Sequence, residues 1–291
     1  MSSPAHLRAQ AQTLAGPLPP LLAGAEHLAA TILLGEHGRR RAGTGDEFWQ
    51  YRPATIGDEA RNIDWRRSAR TDTPFVREKE WQSAQSVILW VDDAQSMEFS
   101  GDGSHGTKCE RARLLALAVA VLLMRGGERV GLSGFDLPPR HGNMQLLRLA
   151  EAFSTPAADT DFGEPEARGM LPQSRALFVS DFMGDLAPVE AALAKAADRG
   201  VRGALLQVLD PQEEAFPFDG RTIFQSMAGA IKFETNQAAD LRSRYIDRLN
   251  DRRARLRDLA RHAGWHYTCH HTGESAQSAL MWLFGALERG R

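Results

Sequence analysis

The chain has 291 residues, 43% of them hydrophobic and 25% charged, enough for one large domain and a smaller companion. Thirty-five Lys and Arg against 37 Asp and Glu leave a formal net charge of −2, which excludes a bulk basic surface for nucleic acid and an acidic solvating tail. Two cysteines, Cys109 and Cys269, exclude a disulfide framework, and no apolar run approaches the ~20 residues that cross a bilayer.

Pro17, Pro19 and Pro20 interrupt the N-terminal apolar stretch, so no signal peptide or membrane span is predicted and the expected location is the cytoplasm. A helical pattern runs over Ala23–Leu34 and ends in the basic Arg39-Arg40-Arg41, so residues 1–42 read as an N-terminal helical segment. Residues 43–82 form a second, Arg/Trp-rich module with Trp49, Trp65 and Trp81. Ten Lys/Arg and eight Asp/Glu over residues 38–80 are too even for phosphate-backbone binding. They predict Arg–carboxylate pairs that satisfy one another among aromatics.

Residues 83–291 alternate regularly. Ser86–Val91 (SVILWV) is an unbroken apolar run, as in a strand buried on both faces. Thr107-Lys108-Cys109-Glu110 is a capping box that opens a fully apolar helix, stopped at Gly126-Gly127. Strands are predicted at Arg129–Phe135, Arg175–Ser180 and Gly203–Leu209, with a helix over about Leu186–Asp198 between the last two. A hairpin over Arg221–Thr235 precedes a long Arg-rich helix from about Ala238 to His262. A late strand at Trp265–His270 and a closing helix at Ala276–Glu288 complete the chain. Alternating strands and helices predict an α/β fold with a doubly wound, mostly parallel, Rossmann-like sheet.

Asp92, Asp136, Asp181 and Asp210 end four of these strands, where open α/β sheets bind their ligands. Asp92-Asp93-Ala94-Gln95-Ser96 is the densest such group. Asp92 and Ser96, with Thr160 and Asp181 from neighbouring loops, supply the carboxylate and hydroxyl oxygens that suit Mg²⁺ or Mn²⁺. Ala94 supplies no ligand, so one corner of that site is missing.

Residues before the sheet carry a fixed pattern: Gly45-Asp46-Glu47-Phe48, Tyr51-Arg52, Ile56-Gly57-Asp58, Arg61-Asn62-Ile63-Asp64-Trp65 and Ser68-Ala69-Arg70. In this the chain resembles the bacterial domain of unknown function 58 family, whose C-terminal part is similar to the von Willebrand factor A domain. The resemblance places Asp92, Ala94 and Ser96 on a DxSxS metal-site motif, Thr160 on its later threonine and Asp181 on its later aspartate. It implies a degenerate metal-ion-dependent adhesion-type site with Ala94 in place of a serine ligand, docking an acidic side chain of a protein partner. It also implies a non-catalytic assembly role beside a MoxR-type AAA+ ATPase or its client.

Other readings have weaker support. Gly101-Asp102-Gly103-Ser104-His105-Gly106 matches GxGxxG but does not follow directly on a strand, and reads as a flexible loop rather than a nucleotide site. His266, Cys269, His270 and His271 alternate across a strand, so the four cannot converge on zinc without a bend. A metal-dependent phosphohydrolase built on Asp92 and Asp93 would need a lysine, and Lys108 is the closest in sequence. The arginines of the long helix read as a solvated face paired at i,i+4.

Overall fold

The computed structural model describes residues 20–32, 42–55, 58–59, 63–70, 73–80, 84–135, 137–155, 158–167, 169–229 and 232–288. Asp136, the Arg39–Arg41 run, Ile56-Gly57, Arg61-Asn62 and Trp81 fall outside them. The chain divides into two units, one of residues 34–84 and one joining residues 1–33 to 85–291.

The smaller unit pairs strand β1 (Ala42–Pro53) antiparallel with β2 (Phe75–Glu80). Between them a single helical turn, α2 (Trp65–Ser68), is capped by Asp64, which accepts from the Arg67 amide at 3.0 Å. The Tyr51 hydroxyl donates to the other Asp64 oxygen at 3.0 Å, and the Arg67 guanidinium lies 4.3 Å from the Tyr51 ring centroid. Arg52 grips Asp58 with two bonds of 2.7 and 2.6 Å, which hold the Asp58 carboxyl well below the usual carboxylate range. The charge-rich module therefore contains the internal Arg–carboxylate pairing that its composition predicts.

The larger unit is built on strands β3 (Ser86–Val91), β4 (Arg129–Leu132), β5 (Leu137–Arg140), β6 (Arg175–Ser180), β7 (Arg202–Leu209) and β10 (His266–His271). Their spatial order is β10-β7-β6-β3-β4-β5, parallel except for the antiparallel edge strand β5. A short hairpin, β8 (Thr222–Gln225) and β9 (Lys232–Thr235), stands apart from this sheet. The chain leaves β3 toward β4 on one side and returns to β6 on the other, so the direction of winding reverses between β3 and β6. At such a reversal the loops leave in opposite directions and open a crevice at the carboxyl ends.

Helices cover both faces. On one lie α1 (Pro20–Ala30), α3 (Lys108–Arg125), α4 (Asn143–Phe153) and α8 (Ala276–Glu288); on the other lie α5 (Ala187–Asp198) and α7 (Arg242–His262). From Leu115 to Leu122 helix α3 is apolar all round because that stretch has no solvent face: these residues are all buried between the sheet and the neighbouring helices. Helix α1 packs onto this core through Leu22, Ala25 and Ala29, which are buried in it. The second core holds Trp90, Phe178 and Trp265, with Phe178 and Trp265 centroids 4.9 Å apart.

The predicted second strand stops at Leu132 rather than Phe135, and the chain turns back as β5. Beside β6, the sheet depends on Gly203. A Cβ there would meet the Ala176 carbonyl oxygen at 1.9 Å, in backbone that cannot swing aside. Gly203→Ala should lower stability by about 1–3 kcal/mol in chemical denaturation; an unchanged midpoint would show that the strands can separate at no cost.

Candidate functional site

The crevice between β3 and β6 collects the predicted residues through backbone geometry. The Asp92 amide donates to the Val179 carbonyl at 2.8 Å, which ties the end of β3 to the end of β6. A 3-10 turn (Gln95–Glu98) follows β3, with the Gln95 and Ser96 amides donating to the Thr160 and Asp161 carbonyls at 2.9 and 3.0 Å. The 160 loop is thereby stitched to the Asp92 loop. Asp92, Ser96 and Asp181 are buried there, whereas the Thr160 side chain is exposed and the residue contributes its backbone carbonyl.

The Asp92 carboxylate is engaged on both oxygens. It accepts from the Ser180 hydroxyl at 2.6 Å and from the Ala94 amide at 2.9 Å. Burial pushes its pKa up to about 6; the neighbouring Asp181 and Asp93 charges add to the shift and the two hydrogen bonds oppose it. Gly163 packs against this carboxylate, with a Cβ there falling 2.2 Å from Oδ1. Gly163→Ala should displace the Asp92 side chain and lower stability by about 1–3 kcal/mol in thermal or urea melts, while leaving the far edge strand β5 unchanged in hydrogen exchange.

Asp181 faces a partner absent from the predicted ligand set. The Lys108 ammonium lies 2.8 Å from Asp181 Oδ2 and 2.7 Å from Glu213 Oε1, with the Lys108 side chain only 1% exposed. The Phe99 ring centroid is 5.6 Å from the same nitrogen. Burial alone would lower the lysine pKa, but the two carboxylates outweigh it and hold the ammonium above its ordinary value. Burial raises Glu213 despite the lysine beside it. The second Asp181 oxygen accepts from the Met183 amide at 2.9 Å.

Glu213 is delivered by a second capping box. Asp210 directly follows β7 and caps helix α6 (Pro211–Ala215), accepting from the Gln212 amide, while Glu213 returns a carboxylate oxygen to the Asp210 amide at 2.8 Å. The strand-end acid Asp210 also accepts from the Gly101 amide at 3.2 Å. The GxGxxG segment is thus held at its start by a carboxylate, which is the wrong charge for a phosphate cradle.

Arg252 of α7 completes the loop after β6, donating to the Phe182 and Gly184 carbonyls at 2.6 Å each. Phe182 needs that support, because it is a non-glycine residue at φ 51°. The sequence pattern placed Arg252 on a solvated face.

These residues do not fit a divalent ion. Ala94 is fully buried and offers no oxygen, Asp181 is bound to an ammonium, and both Asp92 oxygens serve protein donors. The Ser96 hydroxyl is the one buried oxygen of the set with no hydrogen-bond partner among the described residues, and a single hydroxyl does not hold Mg²⁺. Among the described residues no three His, Cys, Asp or Glu side chains converge as metal ligands. The late histidines agree: His270 turns to Arg111 at 3.1 Å, whereas Cys269 and His271 turn to Arg253.

Nucleophiles are also muted. Burial pushes the Cys109 thiol up to about 12 and the Cys269 thiol up to about 11, so neither is a thiolate near neutral pH. Lys108 reaches Asp181 and Glu213, not Asp92, so it does not supply the lysine that an Asp92-based phosphohydrolase requires.

The family described as "Protein of unknown function DUF58" matches residues 50–255. Among curated proteins, the uncharacterized protein Rv1480 of Mycobacterium tuberculosis and Mb1516 of Mycobacterium bovis are each 28% identical over 222 residues, 69% of this chain. The match spans 66% of those relatives' own length. Among solved structures, an aerotolerance-related membrane protein from Bacteroides fragilis aligns at 15% identity and TM-score 0.43, over 70% of this chain and 98% of its own. The SpRpn10 VWA domain aligns at 11% identity and TM-score 0.38, over 68% and 94%.

Proposed function

The chain belongs to the DUF58 family, and from that premise we propose a non-catalytic assembly factor that docks a protein partner at the carboxyl-edge face of its large sheet. The observation that carries this reading is an apolar hairpin placed beside that edge. Between β7 and α7, the β8–β9 hairpin exposes Ile223, Met227 and Phe233, each about half accessible to solvent. Its turn is tied to the crevice, since Asp161 accepts from the Ser226 hydroxyl at 3.0 Å and the Ala228 amide at 2.8 Å. A groove of about 560 Å³ beneath it is lined by Phe216, Phe224, Phe233 and Tyr245 and flanked by Arg244 and Arg248. Exposed apolar side chains beside two cations suit a partner that offers aliphatic or aromatic residues next to acidic ones.

The family resemblance names the class of that partner, a MoxR-type AAA+ ATPase or its client. The muted thiols and internally paired acids of the crevice support docking over catalysis. We place the encounter in the cytoplasm; among the described residues, no helix is long and apolar enough to cross a membrane.

Affinity capture from native lysate should retain an AAA+ ATPase, identified by mass spectrometry. The double substitution Ile223→Asp with Phe233→Asp should lower that retention at least tenfold while the melting temperature holds. Undiminished retention by the substituted chain would move the docking face elsewhere. Recovery of metal-dependent phosphatase turnover from the pure protein would replace docking with catalysis.

A further inference from the structure

Lys108 stands where helix electrostatics disfavour it. It is the first residue of α3, directly after the Thr107 cap, at the positive end of the helix dipole. The first turn of a helix favours acids, and a lysine placed there ordinarily extends its ammonium into water. Here the whole side chain is instead buried and the nitrogen is brought between two carboxylates that enter from other strand ends. Asp181 comes from the loop after β6 and Glu213 from the helix after β7, so three segments converge on one nitrogen. A buried ammonium so placed must be matched by charge and hydrogen bonds, and both are present.

From this convergence we infer that Lys108 is the resident cation of the crevice, a covalently tethered substitute for a divalent ion. Ala94 offers the crevice no oxygen, and Asp181 is met there by an ammonium. A site that supplies its own cation does not require the missing ligand. Its charge is set by the sequence rather than by the metal content of the surroundings, and a chelator has nothing to remove. The inference concerns the crevice alone and stands whether or not a partner docks at the adjacent hairpin.

Two measurements on the unaltered protein test it. The chain carries four lysines, Lys79, Lys108, Lys195 and Lys232, and Lys195 and Lys232 are exposed internal controls. Brief labelling with acetic anhydride, read by mass spectrometry, should modify the controls and leave Lys108 at least tenfold less modified, equally with and without 10 mM Mg²⁺. A Mn²⁺ titration followed by electron paramagnetic resonance should show no stoichiometric site at millimolar metal. Exposure of Lys108 to the reagent on adding Mg²⁺, or a Mn²⁺ site lost in Asp181→Asn, would overturn the inference. Lys108→Ala vacates the space and should bind Mn²⁺ at least tenfold more tightly than the unaltered chain. A folded Lys108→Ala chain no more responsive than the parent would also overturn it, and if that variant does not fold, the labelling result decides.

Discussion

Lys108→Met should destabilise the larger unit by about 3–5 kcal/mol, the range found when one member of a buried ion pair is removed and its partners stay behind. Methionine conserves most of the side-chain volume, so the loss reports charge rather than a cavity. Asp181 and Glu213 would then share a buried space without a counter-ion, and at least one would take up a proton. The signature is therefore a pH dependence. Stability of Lys108→Met should recover as pH falls from 7.5 to 5, because its folded state binds a proton that the unfolded chain does not. Restoring neutrality with Lys108→Met, Asp181→Asn and Glu213→Gln together should return most of the loss at pH 7.5. The measurement is the urea midpoint at constant slope. A loss below about 1 kcal/mol in the single variant would mean that water reaches these carboxylates, contrary to their burial.

Much of the architecture was legible, for identifiable reasons. Ser86–Val91 and Arg175–Ser180 are strands over the predicted residues because both faces of each are covered, which makes the apolar run continuous. The Thr107–Glu110 box marked the start of α3, since a cap is a purely local arrangement. Strand β5 escaped because its sequence, LPPR, contains two prolines that cannot donate; only an edge strand tolerates them. Of the crevice, the run Asp92 to Ser96 and the acid Asp181 could be read from strand ends. The partner of Asp181 could not be, because Lys108 is 73 residues away from it in sequence and 105 from Glu213. One signal was available. Asp210-Pro211-Gln212-Glu213 is itself a capping box, and a box at a strand end turns its glutamate back toward the crevice.

Two buried groups of the unaltered protein, Asp92 and His270, respond to pH in opposite senses. Asp92 sits near 6 in the folded chain against 3.8 for an ordinary aspartate, so its ionisation is penalised above pH 6 and the penalty fades on acidification. Between pH 7.5 and 5 this adds about 1–2 kcal/mol of stability. His270 acts in the opposite sense. Burial, then Arg111, hold it near 4 against 6.5, so it stays neutral in the folded chain while the unfolded chain takes up a proton. Over the same interval that removes about 2 kcal/mol. Single substitutions should expose each half. Asp92→Asn should be more stable than its parent at pH 7.5 and lose much of that advantage by pH 5, whereas His270→Gln should lose less stability than its parent on the same descent. Denaturant melts at pH 7.5, 6 and 5 read both slopes. If Asp92→Asn tracks its parent in parallel across the range, the carboxyl is solvated, and the crevice is open to water at the point where it meets Ser180.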